Sequence, residues 1–578
     1  MAPPSQPSPV TDPASRAAAL IHDAFDDYNA RFSDLTRRAR RRFERRDWRH
    51  AQADAVARID LYDPCIHETL GRLEALLDDR VRSRPLWGAT KRAFAARIAA
   101  LPDRELDKTF FNSLARRFFR VDGVAPDLEF LALEIEPAGD PACRGELTHY
   151  PYADGGAHAA WQRILAERAF ANGYADLAGS AAAIADALHA RLAAHGDAGL
   201  GVELLRTVFY RERRAYLVGQ ARGTSQAWPL VVALVSDPQG VRADALLTEP
   251  AQLSSLFGYA RSYFHADLTR VGDAVAYLQA LLPAKPLDEL YTVLGRAKQG
   301  KTERYRRVFG HLARHADERL QRADGERGMV MAVFTPRDCP VVFKVIRDRF
   351  AYPKQIERRV VEDRYAMVFR RDRVGRLVDA QEFRRLRFPR RQFAPELLDE
   401  LLGECAQGVR VDGDDVLVAH CYVERRLRPL DRYAREAPDD AARRAVLDYG
   451  QAIKDLARSN IFPGDLLLKN FGVSGTGRAL FYDYDELCLL EQCRFRHVPP
   501  VREEDETRPL DEWLYAARDD VFPELFPQFL GLPAPLREAL RHAHGEIFDP
   551  AWWRQVQARL RRGEYLDVAP YPESARLG

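Results

Sequence analysis

From residue 21 to about 200, apolar side chains recur at steps of three and four. Phe25, Tyr28, Phe32, Leu35, Ala39 and Phe43 form one such stripe, which predicts an amphipathic helix. Residues 93–100, 107–119 and 157–194 also read as helical, and the last stretch is rich in Ala, the strongest helix former. Residues 202–248 break the period. LLRTVFY, RRAYLVGQ and PLVVALV are β-branched and aromatic runs separated by Gly, Ser and Asp, so a small antiparallel sheet is predicted. The helical period returns over 250–312.

A second change falls near Asp324. MVMAVF (329–334) and PVVFKVI (340–346) predict two short strands, 353–369 a helix, 371–382 a short extended unit and 416–423 a strand. Val446, Tyr449, Ile453 and Leu456 share one face of a helix over 441–459. Residues 465–473 and 479–487 predict a loop and strand pair, and the chain from Pro509 on reads as helices punctuated by Pro. The fold class is α+β. A mostly helical domain with a small sheet covers 21–315, a second domain covers 316–578, and 1–20 is a frayed tail.

Composition excludes several classes. A chain 46% hydrophobic and 30% charged is not wholly disordered. With 87 basic against 85 acidic residues, a net charge of +2, no global field draws it onto nucleic acid or an anionic membrane. The clearest apolar run, WPLVVALV, is far short of the roughly 20 residues a membrane span needs. Seven cysteines, an odd number, are no disulfide framework and predict reduced thiols in a cytoplasmic protein. The opening MAPPSQPSPVTDPAS lacks the basic start and apolar core of a signal peptide.

Three motifs invite chemistry without securing it. Gly295-Arg-Ala-Lys-Gln-Gly300-Lys301-Thr302 fits G-x-x-x-x-G-K-[ST] at every position, but a phosphate-binding loop needs a buried strand before it. Leu287, Leu290, Tyr291 and Leu294 have helical spacing instead, so a basic junction between helices is expected. A P-loop ATPase using Lys301 and Thr302, with Asp483 on a Walker B strand, stands as an alternative. The run RRARRRFERR (37–46) carries the apolar stripe through it and reads as a solvated helix face. Cys488, Cys493 and His497 give C-x4-C-x3-H, which lacks a fourth zinc ligand; buried thiols beside a strand are expected.

Phosphoryl transfer requires a phosphate-cradling loop, a Lys on the phosphates, metal-binding oxygens and a carboxylate near the nucleophile. The second half supplies these in kinase order. Ala323-Asp324-Gly325-Glu326-Arg327-Gly328-Met329 is a glycine loop running into a strand, and Val341-Val-Phe-Lys344 follows in the manner of V-A-I-K. Asp465-Leu-Leu-Leu-Lys469-Asn470 keeps the D-x-x-x-x-N spacing of a catalytic loop. Asp483, in Phe481-Tyr-Asp483-Tyr-Asp485, stands where most kinases have D-F-G. Asp465 is the candidate for the acceptor hydroxyl, Asn470 and Asp483 for Mg²⁺, and Lys344 for phosphate charge, with Glu357 or Glu362 as its ion-pair partner. The glycine loop is abbreviated, Gly464-Asp465 replaces H-R-D, and no D-F-G glycine or A-P-E is present. The pattern predicts an atypical, protein-kinase-like bilobal domain. A non-catalytic pseudokinase scaffold is a further alternative, against which the intact set of Lys344, Asp465, Asn470 and Asp483 argues.

The stretches Arg327-Gly-Met-Val-Met331, Val342-Phe-Lys344-Val-Ile, Asp372-Arg-Val-Gly-Arg376 and Asp379-Ala-Gln-Glu-Phe383 resemble the bacterial isocitrate dehydrogenase kinase/phosphatase family. Phe462-Pro-Gly-Asp465, Lys469-Asn-Phe-Gly472 and Phe481-Tyr-Asp-Tyr-Asp-Glu486 agree with it. The resemblance implies an enzyme that phosphorylates isocitrate dehydrogenase on an active-site serine, inactivating it, and also removes that phosphate. Such a switch divides carbon between the citric acid cycle and the glyoxylate bypass. It further implies ATP/ADP bound by residues 323–329 and Lys344, Mg²⁺ or Mn²⁺, an active-site role for Asp379 in the phosphatase reaction, and a regulatory N-terminal half responding to AMP. Isocitrate dehydrogenase is then the protein partner, and a homodimer is left open.

Overall fold

A 32-residue helix, α1 (Pro13–Glu44), buries the predicted stripe through Ile21, Phe25, Tyr28, Phe32 and Phe43. The computed structural model describes residues 12–135, 139–152, 156–258, 263–350, 357–500, 514 and 516–578. Helix α1 starts earlier than the pattern suggests. Residues 13–20, assigned above to the tail, are helical, because Pro13 sits in the first turn and Ala14, Ala17 and Ala18 are buried. Residues 1–11 of that tail lie outside the described residues.

The chain forms two compact units. In the first, α2 (Trp48–Asp60), α3 (Tyr62–Leu77), α4 (Arg84–Ile98) and α5 (Arg104–Phe118) follow α1. The helical stretch expected over 157–194 is two helices, α6 (Gly156–Glu167) and α7 (Leu177–Ala194). Asp176 starts α7 by accepting the Gly179 N–H at 2.8 Å. The strands β1 (Leu147–Pro151), β2 (Gly199–Leu205), β3 (Phe209–Arg211), β4 (Arg214–Gly223), β5 (Ala227–Asp237) and β6 (Gly240–Leu247) make the predicted antiparallel sheet, in the order β1-β2-β4-β5-β6 with β3 on β4. Leu204, Leu217, Leu230 and Val232 pack with Trp161 of α6 and Ile184 and Leu188 of α7. Helices α8 (Pro250–Leu256), α9 (Val271–Leu281), α10 (Leu287–Val293) and α11 (Ala297–Arg314) complete this unit. Its final piece is 571–578, counted above with the second domain. The Tyr571 hydroxyl accepts from Arg214 Nε at 2.8 Å, and the Leu577 N–H donates to Asp244 O at 3.0 Å.

The second unit is built on another antiparallel sheet. The strands β7 (Gln321–Arg322), β8 (Met331–Thr335), β9 (Val341–Ile346), β10 (Gln381–Pro389), β11 (Val409–Asp412) and β12 (Asp415–Arg425) run in the order β10-β12-β9-β8-β7, with β11 on β12. Helix α12 is Arg358–Arg371; residues 351–356, at the start of the predicted helix, lie outside the described residues. Residues 372–380 are not the extended unit expected. Asp372 Oδ1 accepts from the N–H groups of Val374 (3.2 Å) and Gly375 (2.9 Å), closing a turn before β10. Helix α13 (Pro395–Glu404) packs by the sheet, and α14 (Leu430–Glu436) leads into α15 (Asp439–Arg458), which buries Val446, Tyr449, Ile453 and Leu456. Below them lie three short ladders: β13 (Arg428–Pro429) on β15 (Phe471–Val473), β15 on β16 (Ala479–Phe481), and β14 (Ile461–Phe462) on β17 (Cys488–Leu489). Of the helices expected after Pro509, the described ones include Ala534–His544 and Pro550–Arg561, while 509–513 and 515 lie outside the described residues.

Candidate active site

Lys344 lies on β9 opposite Tyr422 of β12. Two residues further along β12, on the same face, is Glu424. Its Oε2 is 2.8 Å from Lys344 Nζ, and the two side chains are 8% and 1% exposed. The ammonium also donates to Tyr482 O at 2.7 Å and sits 5.2 Å from the Tyr482 ring centre. One nitrogen thereby ties two strands of the sheet to the segment that carries Asp483. Neither expected partner of Lys344 serves. Glu357 is the N-cap residue of α12, and Glu362 pairs with Arg358 at 3.2 Å. The strand register supplies the carboxylate directly, with no helix needed.

The catalytic-loop candidate begins at Gly464, which has φ +84°. A Cβ there would fall 2.5 Å from the Cβ and the carbonyl oxygen of Glu486, so glycine lets the loop and the Asp483 segment pack in contact. Asp465 Oδ1 accepts the Leu467 N–H at 2.9 Å. The buried Tyr449 hydroxyl of α15 donates to Leu466 O at 2.6 Å and supports the loop from beneath. The Tyr482 N–H donates to Asn470 O at 3.1 Å, and its hydroxyl donates to Lys469 O. With Phe471 paired to Phe481, Asn470 and Asp483 extend from neighbouring strand ends. Asn470 is buried, and its side chain hydrogen bonds no described residue.

The glycine loop is clipped at both ends. The Ala323 N–H donates to Val333 O at 3.0 Å, and Arg347 Nε donates to Gly328 O at 3.0 Å. Arg347 is itself held by Glu400 at 2.7 Å and by Glu404, and Arg327 reaches Glu400 at 3.2 Å. Asp324 faces Arg432 at 3.9 Å. Between the clips, residues 324–329 are exposed, Gly325 and Met329 included. Glu326 bridges from this loop to Lys469 of the catalytic loop at 2.8 Å. That hydrogen bond raises the Lys469 pKa above its ordinary value, and the charges of Asp465 and Asp483 add to it.

Asp379 comes to the same place by another route. The Val378 N–H donates to Phe481 O at 3.0 Å, and the Tyr484 hydroxyl donates to Val378 O at 2.6 Å. Burial pushes the Tyr484 hydroxyl well up, with the charges of Glu424, Asp372 and Asp379 adding to the push. Arg376 locks this segment. Its side chain bonds Asp455 (2.8 Å), Asp448 (2.6 Å) and Ala479 O (3.2 Å), while its carbonyl accepts the Phe481 N–H at 2.8 Å.

Two family models divide nearly the whole chain between them. The isocitrate dehydrogenase kinase/phosphatase (AceK) regulatory domain matches residues 18–317, and the corresponding kinase domain matches 318–573. The chain belongs to the isocitrate dehydrogenase kinase/phosphatase family. An isocitrate dehydrogenase kinase/phosphatase of Xanthomonas euvesicatoria pv. vesicatoria (strain 85-10) is 53% identical over 561 residues, 97% of each chain. One from Xanthomonas axonopodis pv. citri (strain 306) is 52% identical over 575 residues, 99% of each chain. One from Anaeromyxobacter sp. (strain Fw109-5) is 45% identical over 571 residues, 98% of each chain.

In this member of the isocitrate dehydrogenase kinase/phosphatase family, residues 295–302 are not a phosphate-binding loop. Helix α10 ends at Val293 and α11 begins at Ala297, so a helix precedes Gly295, and Gln299 and Gly300 are buried along α11. The P-loop ATPase alternative fails on that geometry. The basic run lies on α1, with Arg37 paired to Asp267 (2.6 Å), Arg40 to Glu44 (3.0 Å) and Arg42 to Asp54 (2.8 Å). His497 is engaged by Glu524 at 2.8 Å, while the Cys488 and Cys493 sulfurs face each other at 3.6 Å. No described helix is long and apolar enough to cross a membrane. Sequence reasoning missed Glu424 as the Lys344 partner, the Glu326–Lys469 bridge and Arg376. The alternation of apolar and charged residues in Val423-Glu424-Arg425 marked a strand end, but nothing in it named the neighbouring strand.

Proposed function

We propose that this enzyme transfers phosphate from ATP to an active-site serine of isocitrate dehydrogenase, inactivating it, and also removes that phosphate. It would thereby divide carbon between the citric acid cycle and the glyoxylate bypass. The observation that carries the reading is the gathering of Lys344, Asp465, Asn470 and Asp483 around one segment, residues 481–486, in a chain whose relatives bear that name. A pseudokinase scaffold is disfavoured because every member of that set is present.

The geometry supports a role for each residue. The loop 323–329 and the Lys344 ammonium receive the ATP phosphates. Glu424 and the Tyr482 carbonyl hold that ammonium in place. Asp465 accepts or orients the serine hydroxyl proton. Asn470 and Asp483 present hard oxygen donors, and the Asn470 amide hydrogen bonds no described residue, so the pair suits Mg²⁺ or Mn²⁺. The bound ion would neutralise charge on the phosphate oxygens. Asp379 orients water toward phosphoserine for the reverse reaction. Its attachment to the Asp483 strand supports one centre for both activities, with conformation choosing between them. Residues 21–315 act as the regulatory part, with AMP as effector, residues 316–578 as the catalytic part, and the enzyme works in the cytoplasm.

The test uses purified protein, Mg²⁺, γ-labelled ATP and isocitrate dehydrogenase. Label should appear on the dehydrogenase with wild type and not with Asp465→Ala, and a chase with ADP and AMP should release it. ATP hydrolysis without label transfer would overturn the reading. Asp483→Ala losing kinase activity while keeping phosphatase activity would overturn the single shared centre.

A further inference from the structure

Cys488 and Cys493 follow the segment that carries Asp483 along the chain. Their sulfurs are 3.6 Å apart, and both thiols are free. Cys488 is partly exposed, whereas Cys493 and the other five cysteines are buried. A disulfide requires about 2.0 Å between sulfurs, so the two must move together from their 3.6 Å separation.

The two sulfurs are chemically unequal. The hydrogen bond between the sulfurs, in which either can donate, lowers the Cys488 pKa together with the charge of Arg364, against burial and the charge of Glu486. Cys493 Sγ also donates to Leu489 O at 3.8 Å. Arg364 Nη1 is buried and hydrogen bonds no described residue, and the charges of Glu486, Asp485 and Cys488 act on its guanidinium. Cys493 is pushed up by the same hydrogen bond and by burial. Cys488, the partly exposed sulfur, is the one a peroxide reaches, and is assigned as the nucleophile with the buried Cys493 as the resolving thiol.

We propose that Cys488 and Cys493 form a hydroperoxide-sensitive dithiol, a modification site whose closure to a disulfide displaces the catalytic loop. The Cys488 thiolate attacks the outer peroxide oxygen, the O–O bond breaks, and an alcohol or water leaves after taking up a proton. The Cys493 thiol then loses its proton and attacks the Cys488 sulfenic sulfur, expelling hydroxide, which becomes water. Two thiols and one hydroperoxide thus give one disulfide, one alcohol (or water) and one water. The two sulfurs together lose two electrons, and the peroxide gains them.

The mechanical link to the active site is short. Cys488 pairs with Phe462 in the β14–β17 ladder, three residues before Asp465. Cys493 is the anchored end. Gln557 donates to Cys493 O at 2.9 Å and to Leu490 O at 2.7 Å, and Asn460 accepts the Leu490 and Glu491 N–H groups. Closure therefore draws Cys488 toward Cys493 and pulls on Phe462 and on the contact between Gly464 and Glu486.

The chemical half of the test is independent of the proposed function, on which only the activity half rests. Reduced full-length protein is treated with hydrogen peroxide and alkylated, and the peptide spanning both cysteines is weighed. It should lose two hydrogens and become unreactive to the alkylating agent, with the other five thiols unchanged. Label transfer to isocitrate dehydrogenase should fall about ten-fold or more, because a shift of about 1 Å at a catalytic group can cost about 100-fold. Dithiothreitol should restore it. Cys493→Val and Cys493→Ser should each keep reduced-state activity through the peroxide step, once sulfenic acid is reduced. The proposal is overturned if the pair stays alkylatable, or if the disulfide forms and transfer is unchanged. Absence of transfer in the reduced wild type would instead count against the kinase reading, while the thiol mapping still decides the modification site.

Discussion

Lys344 Nζ and Glu424 Oε2 are 2.8 Å apart, on adjacent strands, with almost no solvent on either side chain. Removing Lys344 takes the ammonium away from the buried Glu424 carboxylate. Lys344→Ala should therefore cost about 3–5 kcal/mol of stability as well as all transfer activity. The double variant Lys344→Met/Glu424→Leu should recover most of that stability in urea unfolding while remaining inactive. A double variant as unstable as the single one would refute the pairing.

The Glu326–Lys469 bridge is of the opposite kind, solvent-exposed and joining two loops. An exposed pair contributes about 0–1 kcal/mol, so Glu326→Gln should leave the melting temperature nearly unchanged. Its effect should appear in nucleotide handling. The variant should show a higher KM for ATP, and that KM should depend less steeply on added NaCl than in wild type, because salt already weakens the bridge there.

Asp372, which closes the turn before Asp379, is driven up by burial from 3.8 to about 6, even though the backbone N–H groups of Gly375 and Val374 favour its charge. The folded state then holds this proton more tightly than the unfolded chain does. Its contribution to stability is full below the unfolded value and is lost as pH rises through about 6. Asp372→Asn should flatten the fall in stability between about pH 4 and 7, measured by urea midpoints. An unchanged slope would contradict the assignment.

Gly300 is required for packing between α10 and α11, not for phosphate. A Cβ there would lie 2.2 Å from Thr292 Oγ1 and 2.7 Å from Asp288 O. Gly300→Ala should destabilise the first unit by about 1–3 kcal/mol, in the range of overpacked cores. Lys301→Ala should leave ATP turnover intact, which steady-state kinetics at saturating ATP would check.

Short stretches of chain decided the elements and the order of the chemistry. Alternating and β-branched runs made the strands around Lys344, the three-and-four step made α1 and α15, and the order of Lys344, Asp465, Asn470 and Asp483 pointed to phosphoryl transfer. Each of these rests on neighbours within a few residues. Local signals also misled where propensity and packing part company. The Ala-rich run concealed the break at Asp176, and the small alanines of residues 13–20 gave no stripe strong enough to mark a helix start. Tertiary structure decided the partners. Glu424 reaches Lys344 only because β12 lies beside β9 in one register, and a slip of one residue would turn its carboxylate to the other face of the sheet. Arg376 finds Asp448 and Asp455 because α15 crosses beneath its turn, and residues 571–578 join the first unit because Arg214 and Asp244 wait there for Tyr571 and Leu577. Propensity acts over a few residues, whereas register and packing are settled by segments far apart in the chain. For that reason the chemistry could be named from the sequence, and the geometry that holds it could not.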